Sequence, residues 1–139
     1  MADYFTRFSC LLDVGTQDKA ARAFEAFMVL RNDAYAEIED LHCGFDLSIQ
    51  NDPSGSTLWI HDDGNGDVEA VIQFVLRLAD ELDRTGLWGF SYGLTCSRPR
   101  IEAFGGGAHV LDLGARTSIG WTSSQEWRAA ALNGEDPHA

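Results

Sequence analysis

Four groups of side chains in this sequence have types and spacings that could support chemistry. The first is Asp63-Gly64-Asn65-Gly66-Asp67, with oxygen donors at alternate positions. A calcium loop has that spacing at its first, third and fifth positions, but also needs Gly at the sixth and a bidentate Glu at the twelfth. Val68 and Phe74 stand there instead. The run therefore reads as a strand-to-helix turn, with Asp67 as N-cap and Glu69 in the first helical turn. The second group is Cys10, His42, Cys43, His61, Cys96 and His109. Apart from the adjacent His42-Cys43, no pair has the short spacing of zinc ligands. No metal and no cofactor is expected.

The third group is Cys96, His109 and Asp112, the residue types of a thiol nucleophile, its base and an orienting acid. Arg98 sits two residues from the thiol, where a cation favours thiolate. Yet Cys96 continues the bulky alternation Trp88, Phe90, Tyr92, Leu94, so a buried structural thiol is expected. The fourth group is Gly105-Gly106-Gly107, whose amides could cradle an anion. It lacks the Lys-Ser/Thr of a phosphate loop, and a hairpin tip is expected.

Charge narrows the field further. Twenty-two acids against ten bases leave a net charge of −12. Lys19 is the only lysine. From Asn32 to Leu76 there is no base, while Asp33, Glu37, Glu39, Asp40, Asp46, Asp52, Asp62, Asp63, Asp67 and Glu69 all fall there. Such a segment generates a negative field and does not neutralise phosphates. Direct binding to nucleic acid or to an anionic membrane is not expected. Three cysteines, an odd number, suit reduced thiols. Asp3 to Arg7 show neither a basic n-region nor an apolar leader, and no apolar run is long enough to span a bilayer. A cytoplasmic protein is expected.

The elements that position these residues follow from hydrophobic period. Tyr4 to Val14 alternates as a strand. Thr16 caps a helix with Ala20, Ala23, Phe24, Phe27 and Met28 at helical spacing. Phe45, Leu47 and Ile49 alternate, as do the residues from Thr57 to His61. The turn-rich Asn51 to Gly55 joins these two runs as an antiparallel hairpin. Val68, Val71, Ile72, Val75, Ala79 and Leu82 form the widest helical face. Trp88 to Cys96 then places bulky residues on one side and Gly89, Ser91, Gly93, Thr95 and Ser97 on the other.

This order predicts an α+β fold: a βαββαβ, ferredoxin-like split βαβ antiparallel sheet. Arg100–Phe104, Ala108–Leu113 and Ser118–Trp121 are expected to extend it as a β-meander. Ser123 and Glu126 form a capping box for a short C-terminal helix. Residues 1–134 make a single domain and 135–139 a frayed tail. Trp121 or Trp127 is expected to cover the small-residue side of the Trp88–Cys96 strand.

No catalytic constellation stands out. The expected class is a small acidic, non-enzymatic interaction protein: an inhibitor masking the basic nucleic-acid-binding surface of a nuclease or other effector. A phage or plasmid anti-CRISPR or antirestriction DNA mimic has these properties, as does an immunity protein to a nuclease toxin. Carboxylates on a rigid scaffold pair with the partner's Arg and Lys in place of phosphates, and their field speeds encounter. Glu37, Glu39, Asp40, Asp62, Asp63 and Asp67 are the acids expected at that interface. The alternative is a small enzyme or ligand-binding domain using the glycine-rich C-terminal half, around Cys96 and His109.

Overall fold

A computed structural model describes residues 4–37, 44–51, 53–64, 66–99 and 104–135. The elements run β1 (Tyr4–Asp13), α1 (Gln17–Glu37), β2 (Asp46–Ile49), β3 (Thr57–His61), α2 (Val68–Glu81), β4 (Leu87–Cys96), β5 (Gly105–Asp112), β6 (Thr117–Ser123) and α3 (Ser124–Leu132). One antiparallel sheet has the order β2-β3-β1-β4-β5-β6. Its first four strands realise the expected split βαβ. α1 carries the chain from β1 past β3 to β2, and α2 carries it from β3 past β1 to β4.

Period explains the layers. Phe8 and Leu12 of β1 and Val14 just after it are buried, while Arg7, Ser9, Leu11 and Asp13 point to the other, open face. Leu58 and Ile60 of β3 and Leu47 of β2 join the buried set. Over them lie Ala20, Ala23 and Phe27 of α1 and Val71, Ile72, Phe74, Val75 and Leu78 of α2. Phe27, Phe45 and Phe74 form an aromatic triangle with centroids 5.3–6.3 Å apart, where α1, α2 and the entry to β2 meet. Phe90 meets Phe8 edge-on at 6.1 Å and stacks on Trp88 at 5.3 Å.

The helix starts are capped as the sequence predicts. Thr16 Oγ1 accepts from Lys19 N at 3.1 Å, Asp67 Oδ1 from Ala70 N at 3.2 Å, and Ser123 Oγ from Glu126 N at 3.2 Å.

Two expectations are corrected. Gly105-Gly106-Gly107 is not a hairpin tip: it opens β5, with Gly107 opposite Tyr92 and Gly105 opposite Leu94. A Cβ at Gly107 would lie 2.5 Å from Tyr92 Oη, and one at Gly105 would run into Gln125. These glycines admit neighbouring side chains over the strand rather than turning it. Nor does Trp121 cover the small residues of β4. Trp121 pairs with His109, and His109 with Phe90, so Trp121 lies on the helical side of the sheet. Gly89, Ser91, Gly93 and Thr95 belong to the opposite side. The expected strand over Arg100–Phe104 lies outside the described residues except for Phe104, and the frayed tail except for Glu135.

Candidate functional site

The acidic segment converges on one end of the sheet, and backbone pairing shows how. Asp46, at the start of β2, stands opposite His61, at the end of β3. Past His61 the chain continues along β1: Asp62 N donates to Phe8 O at 3.0 Å, and Gly66 N to Thr6 O at 2.8 Å. Asp67 N then donates to Gly44 O at 2.8 Å. The approach is close enough that a Cβ on Gly44 would fall 2.5 Å from the Asp67 Cβ. The entry to β2 therefore lies against the N-terminus of α2, and Asp46, Asp62, Asp63, Asp67 and Glu69 share one end of the molecule.

Their roles differ. Asp62 is a fold residue: its side chain is only 13% exposed and forms an ion pair with Arg7 at 3.1 Å. Its carboxylate also accepts from Phe8 N at 3.0 Å and Gly64 N at 3.2 Å. Partial burial opposes its ionisation, but the two N–H groups and the Arg7 guanidinium outweigh it, holding the carboxyl below its ordinary value. Asp67 caps α2 and remains exposed; Asp63 and Glu69 are exposed as well. Glu37 is the last residue of α1. Glu39 and Asp40 lie outside the described residues.

A cleft of about 540 Å³ opens beside these acids, lined by Thr6, Gly66, Asp67, Val68, Glu69, Tyr92 and Leu94. Its floor is the inward face of β1 and β4 beyond the reach of α2, which is why Tyr92, Leu94 and Cys96 are only half-buried where the alternation predicted a sealed core. Asp67 and Glu69 supply carboxylates at its rim, and Tyr92, Leu94 and Val68 supply apolar surface. Sequence reasoning singled out neither Asp46 nor Glu69 as interface acids, nor Thr6, Tyr92 or Leu94 as lining. Glu69 beside the Asp67 cap was the readable signal. The Asp46–His61 register was not readable.

At the opposite end the acids are matched by arginines. Arg77 pairs with Glu81 at 2.9 Å, and Arg116 approaches Asp80 and Asp83 at 3.7 and 3.8 Å. Arg22 donates to Glu81 O at 3.1 Å.

The other candidate group does not assemble. His109 stands opposite Phe90, and Cys96 is six residues further along β4, about 20 Å away at ~3.3 Å per residue. Asp112 pairs with Leu87 on the other side of the sheet and accepts from Ala115 N at 3.1 Å. His109 Nε2 instead meets Ser118 Oγ at 2.5 Å. Burial pushes the Cys10 thiol up to about 11, and its Sγ lies 3.4 Å from Ile60 O. Among the described residues, no three His, Cys, Asp or Glu side chains converge as metal ligands. No helix among them is long and apolar enough to cross a membrane.

No protein-family model, curated protein or solved structure matches this chain.

Proposed function

We propose that this chain is a non-enzymatic acidic interaction protein whose β2–α2 end covers a basic, nucleic-acid-binding surface on a nuclease or related effector. The observation that carries this reading is the cleft of about 540 Å³ with Asp67 and Glu69 at its rim and Tyr92, Leu94 and Val68 in its walls. That combination suits an Arg or Lys side chain. The aliphatic stem lies on apolar surface, and the cation sits between carboxylates and an aromatic ring. Asp46 and Asp63 extend the negative surface around it, while Asp62 holds the turn that presents Asp63 and Asp67. Glu37, Glu39 and Asp40, the other acids expected at the interface, precede β2 in the sequence. An inhibitor of the anti-CRISPR, antirestriction or nuclease-immunity kind uses such a surface.

The test is displacement. Fluorescein-labelled duplex DNA is bound to each of a panel of purified basic nucleases and effectors, and the chain is titrated in while anisotropy is followed. Release of DNA by the parent chain, weakening as salt rises, is the expected result. Asp63→Asn/Glu69→Gln, which keeps the Asp67 cap and the Asp62 anchor, should slow association more than it speeds dissociation. Failure to displace DNA from any member of the panel, or displacement that this double variant leaves unchanged, sinks the reading.

A further inference from the structure

Tyr92 is where the cleft beside α2 meets the glycines of β5. A Cβ on Gly107 would fall 2.5 Å from Tyr92 Oη and 2.7 Å from its Cζ. The phenol end of the ring therefore lies over the backbone of β5, at the floor of the cleft that Tyr92 lines with Asp67, Val68, Glu69 and Leu94. Three acceptor atoms of that lining have no hydrogen bond among the described residues. Asp67 uses Oδ1 to cap Ala70 N, which leaves Oδ2. Glu69 uses Oε1 to accept from Gln73 Nε2 at 3.0 Å, which leaves Oε2. Tyr92 Oη is the third. No Lys or Arg of the described chain lines the cleft, and Arg7, next to Thr6 of the lining, pairs with Asp62.

We infer that this cleft is a socket for one arginine side chain of the partner, selective against lysine. The inference rests on the reading of the chain as an acidic interaction protein and names the anchor its cleft takes. The spread of the acceptors selects the occupant. The two carboxylates belong to positions 67 and 69, and side chains two apart at a helix start do not face each other. Tyr92 comes from the sheet, on β4. An ammonium is a point charge whose three donors leave from one nitrogen. A guanidinium carries five N–H donors around the edges of a plane, so it reaches separated acceptors together and stacks on an aromatic ring. Its aliphatic stem has Val68 and Leu94 to lie on. A bare divalent cation is poorly served, since no three His, Cys, Asp or Glu side chains among the described residues converge as ligands. The start of α2 carries about half a positive charge. The carboxylates of Asp67 and Glu69 outweigh it, and Asp46 and Asp63 at the same end keep the field negative. In the bound state the guanidinium lies on the Tyr92 ring with Asp67 Oδ2 and Glu69 Oε2 at its edges, and Gly107 leaves the ring room to lie down.

N-acetyl-arginine methylamide and N-acetyl-lysine methylamide, titrated separately into the full chain at constant ionic strength, test the socket. Tyr92 is one of three tyrosines, so Tyr92→Phe identifies its ring-proton NMR signals by their loss. The arginine probe should shift those signals saturably and bind about five-fold tighter than the lysine probe, the size of one added cation–π contact. Tyr92→Leu, with unchanged circular dichroism, should bring the two probes to equal affinity, read from the amide signals of Val68 and Glu69. Glu69→Gln, on the exposed rim, should weaken the arginine probe several-fold without touching the fold. A parent chain that binds both probes equally, or neither up to about 100 mM, overturns the inference. So does an arginine preference that survives Tyr92→Leu, or an arginine affinity that Glu69→Gln leaves unchanged. The two readings separate: a chain that displaces DNA from a nuclease without preferring the arginine probe keeps the proposed function and loses the socket. One that prefers the arginine probe and displaces no DNA keeps the socket and loses the nuclease reading.

Discussion

Asp62 shows how one carboxylate serves the fold at a place where the sequence shows only surplus charge. It joins β1 to the turn after β3 through the N–H groups of Phe8 and Gly64 and through Arg7. Asp62→Ala leaves the partly buried Phe8 N–H without its acceptor and should cost about 1–3 kcal/mol in urea unfolding at neutral pH. Asp62→Asn retains an acceptor oxygen and should cost less. The folded-state carboxyl is held below its ordinary value, so the folded chain releases this proton more readily than the unfolded chain does. Its stabilisation is therefore fully present above the unfolded value of about 3.9 and fades as pH falls through the lower folded value. The gap between parent and Asp62→Ala should narrow at about pH 2 relative to pH 7; a gap that stays constant would show that the ionised carboxylate is not the stabilising species.

At the scale of elements, Gly107 makes the close packing of β5 against Tyr92 testable. Gly107→Ala would place a methyl against Thr122 O and 2.5 Å from Tyr92 Oη. Overpacking of this kind should cost about 1–3 kcal/mol in chemical denaturation. Gly93→Ala, on the open face with nothing within 4 Å of the new Cβ, should stay within about 0.5 kcal/mol of the parent. Equal effects would mean that clearance is not what these glycines supply.

The same contrast marks what was legible beforehand. Strict alternation in Tyr4–Val14 and Trp88–Cys96, together with the wide helical face from Val68 to Leu82, predicted the strands, the helix and their inward sides. Gly105 to Gly107 were misread because three glycines locally resemble a turn. Their role depends on Tyr92 and Gln125, more than ten residues away, and no local period encodes that clearance. Trp121 was placed on the wrong side of the sheet for a related reason: facing follows from register through His109 and Phe90. For the candidate site, the acidic segment was readable as composition, and the Asp67 cap as a motif. The convergence of Asp46 with Asp67, and the engagement of Asp62 by β1, arise from strand pairing between distant segments.

The whole molecule divides its charge unevenly. Arginines meet the acids at the C-terminal end of α2, and at the β2–α2 end Arg7 pairs with Asp62. A net charge of −12 on a chain of 139 residues raises the energy of the folded state through self-repulsion, which salt screens. The melting temperature should therefore rise by a few degrees from about 20 mM to about 500 mM sodium chloride, because screening relieves more repulsion than it removes from exposed pairs. Calorimetry showing a fall over that range would mean that the arginine pairs outweigh the excess of acids.

β1 precedes both of its sheet neighbours in the chain yet lies between them, with β3 on one flank and β4 on the other. During synthesis it emerges before either neighbour exists, and its second flank closes only when the ribosome has passed Cys96, the residue opposite Tyr4. Until then Phe8, Leu12 and Val14 remain on an open-sided strand that can associate with other chains. Chaperone binding to Tyr4–Val14 during that interval would protect the step on which the rest of the sheet depends.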